Sequence, residues 1–501
     1  MLFNTPQYIL FLPIVFVIYY CLPHKVRYIW LLIASYYFYM QWNPVYIILL
    51  FSCTVLTYVC GRLIGYLQTV KLRKISLVVC VLLNLCILGF YKYFNFGISL
   101  LNSLFSRIHI NEIRWNYDIL LPVGISFYTL QALGYVIDVY RGDIYAEKNF
   151  LRYALFVSFF PQLVAGPIER SKNLLVQLHT PKTFQYENLR KGALLVLYGL
   201  FLKMVIADRA AMIVDTVYGN GDAYPGFYII VATFFFAIQI YCDFYGYSTI
   251  ARGSALIMGI HLMDNFNAPY YSGSVKEFWR RWHISLSGWF RDYLYIPLGG
   301  NRKGTKRKWC NLLLVFAISG LWHGASLAFV FWGLLNGLYQ VIEDMGIRFR
   351  DFCERYRLKW HQFIAGTDKE DFVRFSSKLF CTLLTFILVT FAWLFFRAGG
   401  LKEALMMLRN MLGANNWFIL FDGSLYELGV ARNYMNMLLV SISVLFVVDY
   451  RKYHGVDVAD SFLSQGWWFR VGCIMMLVFT ILLYGCYGEI YDIHQFIYFQ
   501  F

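Results

Sequence analysis

An all-α polytopic membrane protein is predicted by the composition, by the length of the apolar runs and by the position of the basic residues. The chain has 501 residues, of which 59% are hydrophobic, 20% aromatic and only 15% charged, whereas soluble domains carry about 25% charged residues. Apolar runs near the length of a bilayer crossing recur from end to end, and spanning helices keep their backbone hydrogen bonds internal. We therefore expect one domain over residues 1–501 with about eleven to thirteen membrane segments.

The positive charge of the chain belongs to this membrane pattern. The formal net charge is +15, but the Lys and Arg residues lie between the apolar runs, where the positive-inside rule puts them. We therefore expect a lipid bilayer around the chain and no nucleic acid as a partner. The eleven Cys residues are scattered without C-x-x-C spacing, so no metal centre is predicted.

The N-terminal region, residues 1–93, is predicted to be a scaffold. Its apolar runs hold few charges, and the first lacks the basic start and small-residue cleavage site of a signal peptide, so it is expected to be retained. The predicted spans are 8–22, 27–40, 45–64 and 75–91.

The core, residues 119–342, is more irregular, because Pro and Gly interrupt several of its apolar runs. Such residues in a membrane segment indicate kinks or re-entrant pieces that protein or a water-filled cavity must cover. The run 250–262 is short and is expected to be re-entrant or interfacial. The other predicted segments before residue 276 are 119–139, 150–164, 194–206 and 227–245.

Charge predicts the orientation of the remaining part of the core. Residues 276–308 contain nine Lys or Arg against two acidic residues, so this stretch is expected on the cytoplasmic side. The basic stretch 348–378 is expected to return to that side, which makes 309–342 a hairpin with its apex near 321–326. A helix from residue 309 to His323 rises about 21 Å, so His323 is predicted to lie deep in the apolar layer. The C-terminal region 379–501 then adds spans at 379–396, 435–448 and 471–484 and an aromatic tail.

His323 is the first candidate for chemistry. A histidine within the membrane needs hydrogen-bond partners even when neutral, and on physical grounds a structural and a functional role are equally open. Gly324 and Ala325 leave space beside the ring and Trp322 precedes it. Space next to a neutral imidazole with a near-neutral pKa is what a general base requires.

His283 lies in the basic stretch and has two interpretations. An interfacial helix would place Trp279, Trp282 and Trp289 among lipid headgroups. Alternatively, the basic residues attract a polyanionic donor such as a nucleotide-linked thioester, which His283 orients. The residues predicted to bind the donor are Lys276, Arg280, Arg281 and Trp282.

Asp243 is the acidic residue expected within the membrane. It either pairs structurally with an arginine or a tyrosine hydroxyl, or orients a histidine. The sequence contains no P-loop, H-E-x-x-H pair or G-x-S-x-G elbow, so a hydrolase with its own serine nucleophile is poorly supported.

Residues 121–338 contain five distinctive motifs, PVGISFYTLQALGYVIDVYRG, FFPQLVAGPIER, YCDFYGYSTIARG, NFNAPYYSGSVKEFWRRWHISLSGWFRDYLYIPLGGNR and SGLWHGAS. Together they resemble the membrane-bound O-acyltransferases, within which the chain is most similar to the bacterial branch of alginate O-acetyltransferases and D-alanyl transfer proteins. The resemblance implies a ring of helices around a tunnel or funnel. It also implies that the family's catalytic histidine corresponds to His323 and its second histidine to His283.

The reaction implied by the resemblance is the attack of a hydroxyl group on an acyl thioester, with no permanently bound cofactor. The expected donor is cytoplasmic acetyl-CoA and the expected acceptor is an exported polysaccharide, reached through an extracytoplasmic partner with a hydrolase-like fold. The chain would then reside in the cytoplasmic (inner) membrane. D-alanyl transfer from a carrier-protein thioester to teichoic acid is the alternative, and a transporter or scaffold without catalysis is an alternative of another class.

The C-terminal sequence FIYFQF resembles an aromatic tail motif of the same branch. One hypothesis is that Tyr498 carries the acyl group briefly as a tyrosyl ester. The other is that the aromatic residues anchor the tail at the membrane interface, as aromatic side chains commonly do.

Overall fold

The computed structural model describes residues 1–111, 113, 122–164, 166–346, 370–487 and 497. Within these ranges the chain is built from helices connected by loops and contains no strand. It divides into two compact units. The first unit comprises Met1–Leu200 with Tyr247–Met263, and the second comprises Phe201–Gly246 with Asp264–Phe501.

The N-terminal part of the chain forms a series of helices. Helix α5 begins after Gly124, whose φ of +76° places it in the left-handed region. An added Cβ there would lie 2.6 Å from the carbonyl oxygen of Leu163, so both the backbone angle and the space require glycine. The bounds are α1 Pro6–Cys21, α2 His24–Met40, α3 Tyr46–Tyr66, α4 Val70–Arg107, α5 Ile125–Arg141, α6 Phe150–Ser158, α7 Phe160–Leu163, α8 Ser171–His179 and α9 Tyr186–Phe201.

The C-terminal part continues from α9 through a π-helical turn, Leu202–Ala207, without a break. A second π-helical turn, Arg291–Tyr295, follows α13. The bounds are α10 Asp208–Gly219, α11 Phe227–Ile257, α12 Val275–Arg281, α13 Ile284–Phe290, α14 Thr305–His323, α15 Leu327–Asp344, α16 Glu370–Arg397, α17 Leu401–Gly413, α18 Arg432–Tyr453, α19 Val458–Leu463 and α20 Trp467–Tyr484.

The all-α polytopic membrane fold is confirmed. In the described ranges, 6 helices are long and apolar enough to cross a bilayer. They are α3, α4, α11, the part of α16 from Ser376 to Arg397, α18 and α20. The helix α1 is apolar but has only 16 residues, and the larger number of membrane segments stays a prediction.

Three predicted segment ends were wrong, in each case because a helix continues. The predicted span 75–91 lies inside the 38-residue α4. The predicted span 227–245 and the first part of 250–262 belong to one helix of 31 residues, α11, which ends at Ile257, so the second span is not a separate re-entrant piece. A single glycine inside a helix costs about 1 kcal/mol, which is too little to end the hydrogen-bond ladder at Gly246. Likewise the predicted span 194–206 continues through the π-helical turn into α10.

The predicted hairpin of residues 309–342 is confirmed as α14 and α15, with its turn at residues 324–326. The two helices approach closely at two glycines. An added Cβ at Gly320 would lie 2.2 Å from the carbonyl oxygen of Phe329, and one at Gly333 would lie 2.2 Å from that of Phe316. Only hydrogen fits at these two positions, so the helix backbones are in direct contact.

Candidate functional site

His283 occupies the corner between α12 and α13. The side chain of Ser274 caps α12 by accepting the Glu277 N–H. The chain then turns at His283, whose φ of 43° and ψ of 54° are left-handed. Two hydrogen bonds to Asn265 support the turn, because its carbonyl accepts the Ile284 N–H at 2.9 Å and its side-chain oxygen accepts the Ser285 hydroxyl at 2.6 Å.

The corner buries the imidazole of His283, which is 1% exposed. Its ring packs edge-to-face on Phe244 of α11, with 4.6 Å between ring centroids, and lies 6.2 Å from the ring of Trp322. Burial lowers the pKa of His283 to about 3 from the ordinary 6.5. The imidazole is therefore neutral at physiological pH.

His323 is the last residue of α14 and is 4% exposed. Aromatic rings surround its imidazole: Trp332 of α15 at 5.2 Å and Phe396 of α16 at 5.3 Å, measured between centroids. The next residue, Gly324, cannot carry a side chain, because an added Cβ would lie 2.2 Å from the ring of Phe329. The fold thus holds this histidine in a tightly packed apolar surrounding.

The ring of Trp322 is close to both histidines. Its ring centroid is 4.8 Å from that of His323 and 6.2 Å from that of His283. The structure therefore brings together three residues that the sequence analysis named as candidates. Two histidines in an aromatic surrounding with little water can accept a proton from, or donate a hydrogen bond to, a group that enters between them.

The three tryptophans of the basic stretch are inside the protein. Trp279, Trp282 and Trp289 are 8%, 1% and 9% exposed. Trp279 donates a hydrogen bond to the side-chain oxygen of Asn336 at 3.2 Å, and Trp282 packs on Trp393 at 5.1 Å between centroids. The interfacial-helix interpretation is therefore wrong for these side chains, because the sequence shows which residues are amphipathic but not what covers them.

A cavity of about 750 Å³ opens beside the basic stretch. Its wall contains two of the residues predicted to bind the donor, Lys276 and Arg280, together with the basic residues Arg291 and Lys308. The other lining residues are Gly273, Ser274, Glu277, Trp279, Leu286, Ser287, Phe290, Tyr295, Asn301, Leu312, Val315, Phe316, Ser319, Gln340, Glu343, Asp344 and Cys381.

The other two residues of the predicted donor-binding set are not among the lining residues of this cavity. The guanidinium of Arg281 bonds to the Glu277 carboxylate at 2.9 Å and stacks over the ring of Tyr453 at 4.5 Å. Trp282 is enclosed by aromatic rings, including those of Phe278 and Phe266.

The cavity follows α14 toward His323. It contacts this helix from Lys308 to Ser319, a rise of about 16 Å at 1.5 Å per residue. Ser319 precedes His323 by one helical turn and lies on the same side of the helix. The cavity therefore connects a basic end to a point about 6 Å along the helix axis from His323.

Asp243 is held by a partner that the sequence analysis did not name. Its carboxylate lies 2.7 Å from the ammonium of Lys203, which also lies 2.8 Å from the carboxylate of Asp208. The sequence could have indicated this ion pair, because Lys203 is a charged residue inside an apolar run and an acidic residue follows it five positions later.

Two further predictions concern Tyr498 of the C-terminal tail and the expectation of no metal centre. Tyr498 lies outside the described residues. Among the described residues, no group of three or more His, Cys, Asp or Glu side chains is arranged to hold a metal ion.

The fold defines a polytopic membrane protein with two buried histidines, and comparison with known proteins gives its class and family. Residues 145–367 match the membrane-bound O-acyltransferase family. The probable alginate O-acetylase of Pseudomonas aeruginosa is 38% identical over 426 residues, which cover 83% of this chain and 76% of that protein. The chain belongs to the membrane-bound O-acyltransferase family.

Two more relatives are named for other transfer reactions. The peptidoglycan O-acetyltransferase of Helicobacter pylori is 34% identical over 448 residues, covering 83% of this chain and 80% of that protein. The teichoic acid D-alanyltransferase of Bacillus subtilis is 25% identical over 288 residues, covering 53% of this chain and 69% of that protein.

Proposed function

We propose that this enzyme moves an acetyl group from cytoplasmic acetyl-CoA across the inner membrane toward hydroxyl groups of an extracytoplasmic polysaccharide. The observation that carries the proposal is the cavity, which has basic residues at one end and reaches to within one turn of His323. A donor with a phosphorylated end and a long thioester arm fits this distribution of charge, because Lys and Arg bind phosphate oxygens.

In the proposed mechanism, the donor phosphates bind near Lys276 and Arg280, since Lys308 is ion-paired with Asp344, and the thioester arm follows α14. His323 accepts the proton of the acceptor hydroxyl as its oxygen attacks the thioester carbonyl. The C–S bond then breaks, and the proton passes from His323 to the departing thiolate. His283 stays neutral and supports the donor or the acceptor from beside Trp322.

The choice of acetyl over D-alanyl transfer is supported by the relatives. Those named for O-acetylation of alginate or peptidoglycan align over 83% of this chain at 34–38% identity. The relative named for D-alanyl transfer to teichoic acid aligns over 53% at 25% identity. D-alanyl transfer from a carrier-protein thioester is the second candidate.

The remaining parts of the proposal concern the outer side of the membrane. The membrane helices are proposed to surround a tunnel through which the acceptor side meets the donor side. An extracytoplasmic partner of hydrolase-like fold is proposed to pass the acetyl group to the polysaccharide, since a chain embedded in the bilayer is remote from an exported polymer. No cofactor is proposed to stay bound.

The test is a donor assay with purified enzyme in detergent or nanodiscs. Acetyl-CoA and an aminoacylated carrier protein are supplied separately, and release of the donor thiol is measured with and without a polysaccharide acceptor. We expect thiol release from acetyl-CoA, and a loss of about 10²-fold or more in His323→Ala. Release from the carrier protein alone would support D-alanyl transfer. An unchanged rate in His323→Ala would overturn the enzymatic role and favour a transporter or scaffold.

A further inference from the structure

A cluster of buried charges lies in the second unit, outside the histidine pair. The ammonium of Lys203 lies 2.8 Å from one carboxylate oxygen of Asp208 and 2.7 Å from one of Asp243. The three side chains are at most 6% exposed. Removing such charges from water costs several kcal/mol per ion, and apolar residues of similar size are often at least as stabilising. Stability alone is therefore a poor reason for this cluster.

The cluster lies at the π-helical turn between α9 and α10. In a π-helical turn the backbone bonds run from residue i to i+5, and such turns are frequently found at functional sites. Here the carbonyl of Met204, within the turn, accepts a hydrogen bond from the N–H of Cys486 at 3.1 Å. Nearby, the guanidinium of Arg209 donates to the carbonyl of Tyr484 at 3.2 Å. The chain that leaves α20 is thus bonded to this turn.

A third contact brings the end of the chain to the same cluster. The backbone N–H of Ile497 donates to the second carboxylate oxygen of Asp243 at 2.7 Å, and Ile497 is 2% exposed. Asp243 therefore uses one oxygen for Lys203 and the other for Ile497, which is the point at which the C-terminal tail is bound. A charge-assisted hydrogen bond of this kind is about twice as strong as one between neutral groups.

The site where the tail binds adjoins the histidine pair. Asp243 is followed in α11 by Phe244, whose ring packs on the imidazole of His283 at 4.6 Å between centroids. We propose that Lys203, Asp208 and Asp243 are positioning residues, which bind the C-terminal tail next to this histidine, and that acyl transfer requires the tail to be bound there. This inference deepens the proposed function and rests on it.

The first experiment measures binding of the tail and is independent of catalysis. The purified protein is digested with a carboxypeptidase, and the products are identified by intact mass. In the wild type we expect trimming to stop at or before Ile497. In Asp243→Leu, which removes the acceptor, and in Lys203→Met, trimming is expected to pass residue 497. The control is Asp449→Asn, because Asp449 is also buried in this unit but accepts the Tyr241 hydroxyl. A stop at the same residue in all variants would overturn the inference.

The second experiment leaves the charged cluster intact. Ile497→Pro removes the N–H that bonds to Asp243, whereas Ile497→Val keeps it. We expect Ile497→Pro to lower thiol release from acetyl-CoA about tenfold or more, because a misplaced group near the reacting atoms lowers the rate steeply. Equal rates in the two variants would overturn the positioning role. If the wild type itself releases no thiol from acetyl-CoA, the proposed function fails, while the trimming result still decides whether the tail is bound.

Discussion

His283 combines a strained backbone with a buried ring. Its left-handed φ of 43° is unusual for a residue with a side chain, and the two hydrogen bonds from the following residues to Asn265 hold it there. The ring is then enclosed by Phe244 and Trp322. A strained backbone of this kind persists only where neighbouring contacts hold it in place. The left-handed conformation therefore helps to set the orientation of the imidazole.

Burial of His283 should make stability depend on pH. Its pKa is about 3 in the folded protein and 6.5 ordinarily, so between these values the unfolded chain binds a proton that the folded protein does not. The neutral ring therefore contributes fully to the free energy of unfolding above pH 6.5, and this contribution is lost as the pH falls toward 3. Between pH 6.5 and 4.5 this amounts to about 2–3 kcal/mol. Chemical unfolding in detergent at both pH values should show a smaller loss in His283→Asn, since asparagine tolerates the left-handed backbone. Equal losses in the two proteins would contradict a neutral buried ring.

The basic end of the cavity should determine donor affinity. Arg280 lines the cavity, whereas Arg307 belongs to the same basic stretch but is exposed and does not line it. Removing one hydrogen bond to a charged group costs about 1.5–3 kcal/mol. We therefore expect Arg280→Gln to raise KM for acetyl-CoA about tenfold or more with little change in kcat, and Arg307→Gln to leave KM near the wild-type value. Similar KM values in both variants would place the donor elsewhere.

At the scale of elements, the helical hairpin is where sequence reasoning was most successful. The charge on both sides of 309–342 predicted a hairpin with its turn near 321–326, as found. Periodicity could not give the ends of α4 and α11, because neither Pro nor a cluster of Gly marks where an apolar helix continues past the membrane. The pairing of Lys203 with Asp243 was missed because Asp243 comes from another helix, 40 residues later in the sequence.

The packing of this hairpin predicts a steric effect of small substitutions. Gly333→Ala would bring a Cβ within 2.2 Å of the Phe316 carbonyl oxygen, so the helices would have to separate. Overpacking of this kind typically costs about 1–3 kcal/mol. Gly472→Ala, within α20 and with no atom within 4 Å of its added Cβ, should instead raise stability by up to about 1 kcal/mol. Thermal unfolding of the two variants checks this, and a Gly333→Ala midpoint at or above that of the wild type would contradict the close contact.

At the scale of the whole molecule, contacts between helix ends show which connecting segments lie at the same end of the membrane helices. The ammonium of Lys378, near the start of α16, lies 4.7 Å from the ring of Tyr453 at the end of α18. Arg281 stacks on the same ring. The start of α16 and the end of α18 therefore lie beside the basic stretch. Residues 398–431, which connect the other ends of these two helices, lie at the opposite end of the helices. Membrane class and helix content could be predicted from composition alone, whereas this arrangement required contacts between residues far apart in sequence.

Labelling of single cysteines checks this topology. With the exposed native cysteines replaced by serine, Ser424→Cys is expected to react with an impermeant maleimide in intact cells, because the positive-inside rule predicts that the basic stretch is cytoplasmic and the segment 398–431 is at the opposite end. Lys303→Cys, in the exposed basic stretch, should react only in inverted vesicles. Labelling of both positions from the same side would refute the assignment.

The direct backbone contact between α14 and α15 affects how the enzyme responds to the thickness of the bilayer. Two helices that touch through Gly320 and Gly333 cannot slide along each other, because any shift brings a side chain against a carbonyl oxygen. A thinner or thicker bilayer can therefore tilt the pair only as one body. The spacing between Ser319 on α14 and Gln340 on α15, which face the same cavity, is then preserved. We expect thiol release to depend little on the acyl-chain length of the lipids used for reconstitution.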